Sequence, residues 1–432
     1  MRWLAAFLVM MTIFIPAVLR AQSTNESAAP SIAANSPPAP PVDELVARAL
    51  EKSPTIAAQR AKIAAAREQV KPAGALADPM LEFSGQENFM PDPDFAKGTL
   101  EFSQELPFPG KLKSRRETAS AEADQQAVEL KKAERQLAFD VRATYAKIYA
   151  LDQEKRYLEV AKDLLKLIAD TASARYVAGQ EDQEALLKTQ LAVSQVTARQ
   201  HNLAADRKSR VTELNRLLNQ SSDEPLGEVA ALPAVQTPSF GGENAVRQTP
   251  DMASQKAAVA AADRRLDSAQ KEVYPDFLVG LGGVLEKNYL DNSQMPMAML
   301  KFGITLPIWQ TSKQRPLLRA AEHEREMAAD RQRETAAALR ADFSRLESEW
   351  RRNENLIVLY QQAILPQTEA ALAAARSSYL TGRGDFLTVI TDFNLWLESR
   401  IELARREAER YATWAELDAL RPLDAQSQGE TP

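Results

Sequence analysis

Three methionines, Met295, Met297 and Met299, alternate along one short stretch, and Met80 heads a similar stretch in the first half of the chain. Side chains two residues apart share one face of a strand, so the three thioethers would form a row. Thioethers suit soft cations such as Cu(I) or Ag(I), and methionine is equally a general filler of apolar gaps. These four are the candidate metal-contacting positions. His201 and His323 are the only histidines, and there is no cysteine among the 432 residues. That composition removes thiolate metal sites, disulfides and an N-terminal lipid carried on cysteine. The sequence offers no nucleophile–base set, cofactor loop or cluster of metal ligands, so it predicts no enzyme, no cofactor and no resident metal.

The methionine row belongs to a wider alternation. In Met297–Leu306, Ala298, Leu300, Phe302, Ile304 and Leu306 alternate with Met297, Met299, Lys301, Gly303 and Thr305. Leu100, Phe102 and Leu106 alternate with Thr99, Glu101, Ser103 and Glu105, with Gln104 interrupting the apolar face. Leu81 and Phe83 alternate with Glu82 and Ser84, and Phe277, Val279 and Leu281 with Leu278, Gly280 and Gly282. Two hairpins are expected, at about 80–106 and about 276–306, with loops Glu87–Gly98 and Glu286–Pro296. Apolar-out, polar-in alternation is the pattern of a membrane β-barrel, and a half-buried soluble sheet gives it too. Four strands cannot close a barrel, because the smallest has about eight, and a bilayer tolerates no open edge. Membrane strands here would require several chains, each donating four. Phe108 and Trp309, just past the second and fourth strands, stand where interfacial aromatics belong.

Most of the remaining chain reads as helix, and it reads twice. Ala49–Ala66 aligns without gaps on Ala245–Ala262, with Pro54 on Pro250 and Gln59 on Gln255. Thr99–Phe108 matches Met299–Ile308 through Phe102 on Phe302 and Leu106-Pro107 on Leu306-Pro307, and Arg175–Asp182 matches Ser378–Asp385. Three anchors in one order indicate an internal duplication. Each unit opens with Ser53-Pro54 or Thr249-Pro250, a cap followed by proline at the first helical position. Repeat 1 is expected over 43–220, with long helices at about 112–178 and 182–219. Repeat 2 follows over 243–421, with long helices at about 314–381 and 385–420, after a linker at 221–242. Leu130, Leu137, Thr144, Leu151, Leu158, Leu165 and Ala172 recur at sevens, as do Ala336, Phe343, Trp350, Ile357, Ile364 and Ala371. A sustained seven-residue period implies left-handed supercoiling against neighbouring helices. Pro366 has no counterpart at the matching Asp163, and a hinge and a static kink both follow from it.

The ends set the compartment. Met1-Arg2 and the apolar run Leu4–Leu19, ending in Leu19-Arg20-Ala21, have the layout of a secretory signal peptide over 1–21. A Pro/Ala/Ser-rich leader is expected at 22–42 and a flexible tail at 422–432. The net charge is −6, with acidic and basic residues interleaved, so no nucleic-acid footprint arises.

Together these features resemble a known family. The element order, the duplication, ELPFPGKL (Glu105–Leu112), the turns YVAGQED and YLTGRGDFL, and LNRLLNQSSDEPLG (Leu214–Gly227) look like TolC-type outer-membrane efflux proteins. Ile364–Leu387 is most similar to the heavy-metal branch exemplified by CzcC and CusC. The resemblance implies a mainly α fold with a small membrane β part: a homotrimer whose four strands per chain share a 12-stranded β-barrel, continuous with a periplasmic α-helical coiled-coil barrel. It places the chain in the outer membrane of a Gram-negative-type cell, among its lipids, with the helices in the periplasm. The implied partners are a periplasmic adaptor and an inner-membrane RND-type transporter, and the implied role is a passive gated duct. Drug, solvent or type I protein export, and a soluble periplasmic coiled-coil scaffold, are the alternative readings. By the same resemblance Arg175, Tyr176, Gly179, Tyr379, Gly382 and Arg383 are candidate adaptor-docking residues at the helix tips. Asp385, Thr388, Thr391 and Asp392 are candidate gate residues, although threonines stand at 388 and 391 where the family often has acids.

Overall fold

The computed structural model describes residues 38–87, 95–180, 182–238, 242–288 and 293–422. The expected signal peptide, the leader up to residue 37 and the tail from residue 423 lie outside them.

Helix α1 (Val42–Lys52) leads to Ser53, whose hydroxyl accepts the Ile56 N–H at 3.4 Å and starts α2 (Pro54–Ala73). Strands β1 (Met80–Glu87) and β2 (Phe95–Leu106) follow, then α3 (Lys111–Val177) and α4 (Gln183–Leu217). The second half repeats the order. After α5 (Gly242–Gln248), Thr249 caps α6 (Pro250–Lys271) by accepting the Met252 N–H at 3.2 Å. Next come β3 (Asp276–Asn288), β4 (Gln294–Thr305), α7 (Gln314–Leu359), a π-helical turn (Tyr360–Ile364), α8 (Leu365–Leu380) and α9 (Phe386–Ala419). The 67 residues of α3 extend about 100 Å at 1.5 Å per residue.

The strands form one antiparallel sheet in the order β1-β2-β3-β4. They run further than the alternation suggested. Lys97 pairs with Gln86, Gly98 with Gly85 and Leu285 with Pro296, so much of both expected loops is strand. Backbone pairing propagates along an antiparallel ladder whatever the side chains, and Pro296 is tolerated because β4 is an edge strand.

The core runs along the helices. Leu158, Ala161 and Leu165 of α3 pack with Val196 and Leu203 of α4, Leu372 of α8, and Phe393, Leu397 and Ile401 of α9. The linker is docked rather than free. Asp152 of α3 is 1% exposed and accepts the Val229 N–H at 2.9 Å, while Arg207 of α4 bonds Asp152 and the Gly227 carbonyl. The end of the leader joins the linker, with the Ala39 N–H donating to the Glu228 carbonyl at 3.1 Å.

One heptad run needs correction. Trp350 and Ile357 are buried as the sevens require, but beyond them Leu365, Leu372 and Tyr379 line the seam, while Ile364 is half-buried and Ala371 exposed. The π turn carries one residue more than an α turn and advances the phase by one. The Leu365 N–H reaches back five residues to the Tyr360 carbonyl, immediately before Pro366.

Candidate functional site

Sheet register sorts the strand side chains onto two faces. Leu81 lies opposite Phe102, Phe102 opposite Leu281, and Leu281 opposite Leu300. Phe83, Leu100, Leu285, Phe302 and Ile304 share that face, and all of these side chains are about half exposed or more, with Phe83 at 78% and Phe302 at 77%. A contiguous apolar surface spanning four strands demands a covering of lipid or protein.

The opposite face carries Glu82, Ser84, Thr99, Glu101, Ser103, Glu105, Lys301 and Thr305. Lys301 Nζ bonds Glu101 Oε1 at 2.8 Å although β3 lies between their strands. Two strand spacings are about 9.6 Å, and the intervening residues are Gly280 and Gly282. A Cβ on Gly280 would lie 3.2 Å from Glu101 Oε1, and one on Gly282 would lie 2.8 Å from the Leu100 carbonyl oxygen. The glycines leave the bridge its path, a requirement visible only once strand order is known. The methionine row lies on this polar face. Met295 and Met297 are exposed and Met299 is half-buried beside Gly282. Met80 sits on β1, at the other edge of the sheet, so a single chain does not bring all four together. Among the described residues no group of three or more His, Cys, Asp or Glu is placed to hold a metal ion.

Between sheet and helices, Gly110 at φ 96° turns β2 into α3, and Lys111, 2% exposed, meets Asp276 at 2.9 Å. Phe108 is half-buried. It stacks on Tyr274 at 4.7 Å, and its N–H donates to Asp276 Oδ1 at 2.8 Å, which turns it into the joint. Trp309 is 69% exposed.

At the far end both helical hairpins turn on glycines in the left-handed region, Gly179 at φ 67° and Gly382 at φ 77°. The Gln180 N–H returns to the Arg175 carbonyl and the Arg383 N–H to the Ser378 carbonyl, each at 2.9 Å, which closes a Schellman turn in each repeat. The two tips then diverge. Tyr379 is 1% exposed, packed with Ile168, Ala185, Phe386 and Val389, so it is an interior residue and not a docking contact. Arg175 is likewise committed inward, bonded to the Tyr379 carbonyl and half-buried against its ring. The matching Tyr176 is 42% exposed, and Gly179, Gly382 and Arg383 are exposed. Val177, 84% exposed, and Leu380, 48% exposed, also stand at the surface. The Tyr-x-x-Gly spacing does not single them out, although an apolar residue follows the tyrosine in both repeats. On α4, Lys188 bonds Glu184 at 2.6 Å and holds its carboxyl below the usual range.

Asp385, Thr388 and Asp392 share one face of the start of α9 by their spacing of three and four, with Asp385 and Thr388 exposed and Asp392 half-buried. Thr391 is exposed, and its hydroxyl bonds back to the Leu387 carbonyl at 2.9 Å. Pro366 sits at the surface, one residue beyond the end of the π turn, as the second residue of α8.

The model of one family, described as outer membrane efflux protein, matches residues 45–220 and again 242–421. The chain belongs to the outer membrane efflux protein family. Its fold is that of the solved TolC-type channels. It superposes on VceC from Vibrio cholerae with a TM-score of 0.75 at 18% identity, covering 88% of this chain and 96% of that one. For CusC the values are 0.75 and 18%, covering 88% and 92%. CmeC from Campylobacter jejuni gives 0.74 at 15%, covering 97% and 95%. No curated protein matches the sequence. As an outer membrane efflux protein the chain resides in the outer membrane, which accounts for an apolar sheet face open to its surroundings. None of its described helices is long and apolar enough to cross a membrane.

Proposed function

We propose that this protein is the outer-membrane duct of a tripartite efflux pump. It works as a homotrimer, a passive gated conduit that docks through its helix tips on a periplasmic adaptor and an inner-membrane RND-type transporter. The observation that carries this reading is the join of a four-stranded sheet, apolar and exposed on one face, to helices about 100 Å long. Such a sheet cannot close alone, and three copies supply enough strands for a barrel. The docking surface consists of Tyr176, Val177, Leu380 and Arg383 around the two glycine turns.

The cargo we assign is cationic, with heavy-metal cations first. On the polar sheet face Glu82, Glu101, Glu105 and Glu286 stand against Lys97 and Lys301; Asp276 on the same face is already paired with Lys111, which leaves four carboxylates to two ammonium groups. Threefold repetition of that surplus around a lumen attracts cations and repels anions. The test is deletion of the gene followed by challenge with Cu, Ag, Zn, Co, Ni and a drug panel. Sensitivity to metals alone supports the assignment, sensitivity to drugs alone replaces it, and sensitivity to neither defeats the efflux reading.

A further inference from the structure

Among the described residues the sheet ends in two unpartnered edges, β1 and β4. Each presents backbone N–H and C=O groups along a segment whose neighbouring side chains are apolar and exposed. In a bilayer an unpaired edge is costly at every residue. The trimeric reading covers each edge with another copy, and the internal duplication specifies how the edges meet.

Pro54 corresponds to Pro250 and Pro79 to Pro275, and in each pair the numbers differ by 196; the strand starts Met80 and Asp276 differ by the same amount. This equates β1 with β3. Phe102 corresponds to Phe302 and Leu106-Pro107 to Leu306-Pro307, a difference of 200, which equates β2 with β4. Within the chain β2 joins β3 across the repeat boundary, with Leu106 opposite Phe277, Gln104 opposite Val279 and Phe102 opposite Leu281. Carrying that join from one copy to the next replaces Leu106 by Leu306 and Phe277 by Leu81.

In the shared barrel of the trimeric reading β4 closes on β1 of the next copy, and we propose that these two edges meet antiparallel in one register. Leu306 lies opposite Leu81 of the partner subunit, Ile304 opposite Phe83 of the partner subunit and Phe302 opposite Gly85 of the partner subunit. The proposal rests on the trimeric reading above.

Features that played no part in deriving this register agree with it. Leu306, Ile304 and Phe302 lie on the exposed apolar face, as do Leu81 and Phe83, so the apolar belt continues unbroken from copy to copy. Thr305 falls opposite Glu82 of the partner subunit and Lys301 opposite Gln86 of the partner subunit, polar group to polar group. A slip by one residue would turn one edge's apolar side chains into the lumen. A Cβ on Gly85 meets nothing within 4 Å, which leaves room for the Phe302 ring to lie over that glycine. Leu300 falls opposite Glu87 of the partner subunit, the last residue of β1, so Pro296 lies beyond the pairing and its missing N–H removes no bond.

The competing arrangement is a slip by two, which preserves the faces. The hairpins themselves differ by that amount. Met80 faces Ser103, whereas Asp276 faces Thr305 and not Gly303, the counterpart of Ser103. The experiment therefore discriminates among three registers.

The natural chain has no cysteine, so introduced thiols are the only ones present. Ile304→Cys is combined in the full-length protein with Phe83→Cys, and separately with Leu81→Cys or Gly85→Cys. Outer membranes carrying each variant are then oxidised with copper phenanthroline. Directly opposed residues have Cα atoms about 4.5–5.5 Å apart, within disulfide reach, while diagonal neighbours lie about 7–8 Å apart. The expected result is a covalent trimer, reversed by dithiothreitol, for the 304/83 pair alone. Leu306→Cys with Leu81→Cys repeats the test at the periplasmic end, should the first pair fail to fold. Cross-linking of a displaced pair overturns the register and leaves the trimer standing. Light scattering of the unsubstituted protein in detergent tests the trimer separately. A trimer in which no pair cross-links overturns β4–β1 pairing, and a monomer overturns both readings.

Discussion

The guanidinium of Arg175, on α3 of the first repeat, lies 4.9 Å from the centre of the Tyr379 ring in the second and donates to the Tyr379 carbonyl at 3.0 Å. This contact ties the tips of the two hairpins together at the end of helices otherwise joined only along their sides. It also separates two tyrosines that share one local motif. Tyr379 is sealed inside by Phe386, at 6.1 Å, and by Arg175, whereas Tyr176 is left at the surface.

Arg175→Ala should therefore loosen one tip specifically. A cation–π contact and a hydrogen bond are together worth about 1–2 kcal/mol. Hydrogen–deuterium exchange should quicken several-fold at residues 378–384, with little change in the barrel strands. Unchanged protection there would mean that the stack carries no energy. Tyr379→Ala should cost more, about 3 kcal/mol, because it empties a packed site.

The glycine turns give a second prediction. A Cβ on Gly179 meets nothing within 4 Å, and one on Gly382 comes only to 3.6 Å of Arg175 Nη2, so space is not the constraint. The constraint is positive φ, which costs an ordinary L residue roughly 1–2 kcal/mol. Gly179→Val with Gly382→Val should abolish export while trimers persist, and the asparagine pair should keep most of it, since Asn enters that region readily. Equal export from both pairs, measured as resistance in a complemented deletion strain, would remove the turns from the docking role.

The parts of this fold legible in the sequence are those set by near neighbours. Ser53 and Thr249 cap the helices their positions announced, and the tips reverse at Gly179 and Gly382. The alternation put Leu81 with Phe83, Leu100 with Phe102 and Leu300 with Phe302 on one face of their own strands, because strand period alone decides that. What escaped depends on residues far apart in the chain. Tyr176 and Tyr379 read alike and differ only in what the other repeat places against them. Phe108 stacks on Tyr274, a residue 166 positions away, and Glu101 reaches Lys301 because β3 offers glycine between them. The phase skip at the π turn was hidden because Ile364 and Leu365 are equally apolar.

That skip leads to a prediction about Pro366. The extra residue sets the phase, and the proline follows it, so Pro366→Ala should leave the π turn, the seam through Leu365 and Leu372, and channel conductance unchanged. Deleting Gln362 together with Pro366→Ala should join α7 and α8 as one α-helix with Ile357 and Leu365 seven apart. If the π turn lets the helix flex on opening, only the deletion should alter single-channel conductance. Altered conductance in Pro366→Ala alone would return the hinge to the proline.

Alkaline pH should destabilise the helical bundle at Tyr411. Burial pushes its phenol up to about 12, with Arg142 opposing, and its side chain is 2% exposed. The unfolded phenol titrates near 10. The folded state thus holds its proton where the unfolded state releases it, and stability falls as pH rises from about 10 to about 12, by about 2 kcal/mol. Burial and a 2.6 Å hydrogen bond to Glu407 raise Tyr149 as well. Tyr411→Phe should flatten the fall in melting temperature across that range, and an identical fall in variant and parent would rule out this phenol.

The start of α9 offers the last prediction. Asp385 and Asp392 occupy one helix face with Thr388 between them, where a trimer would repeat each carboxylate three times around the axis. Equal charges repeated around one axis repel one another and attract cations. The two threonines weaken the field relative to four acids, so the effect should be partial. Asp385→Asn with Asp392→Asn should lower the cation-to-anion permeability ratio severalfold in planar bilayers, and Thr388→Asp with Thr391→Asp should raise it and narrow the open state. Reversal potentials that stay constant across all three proteins would place the selective element in the barrel, at Glu101 and Lys301, and leave the tips to docking.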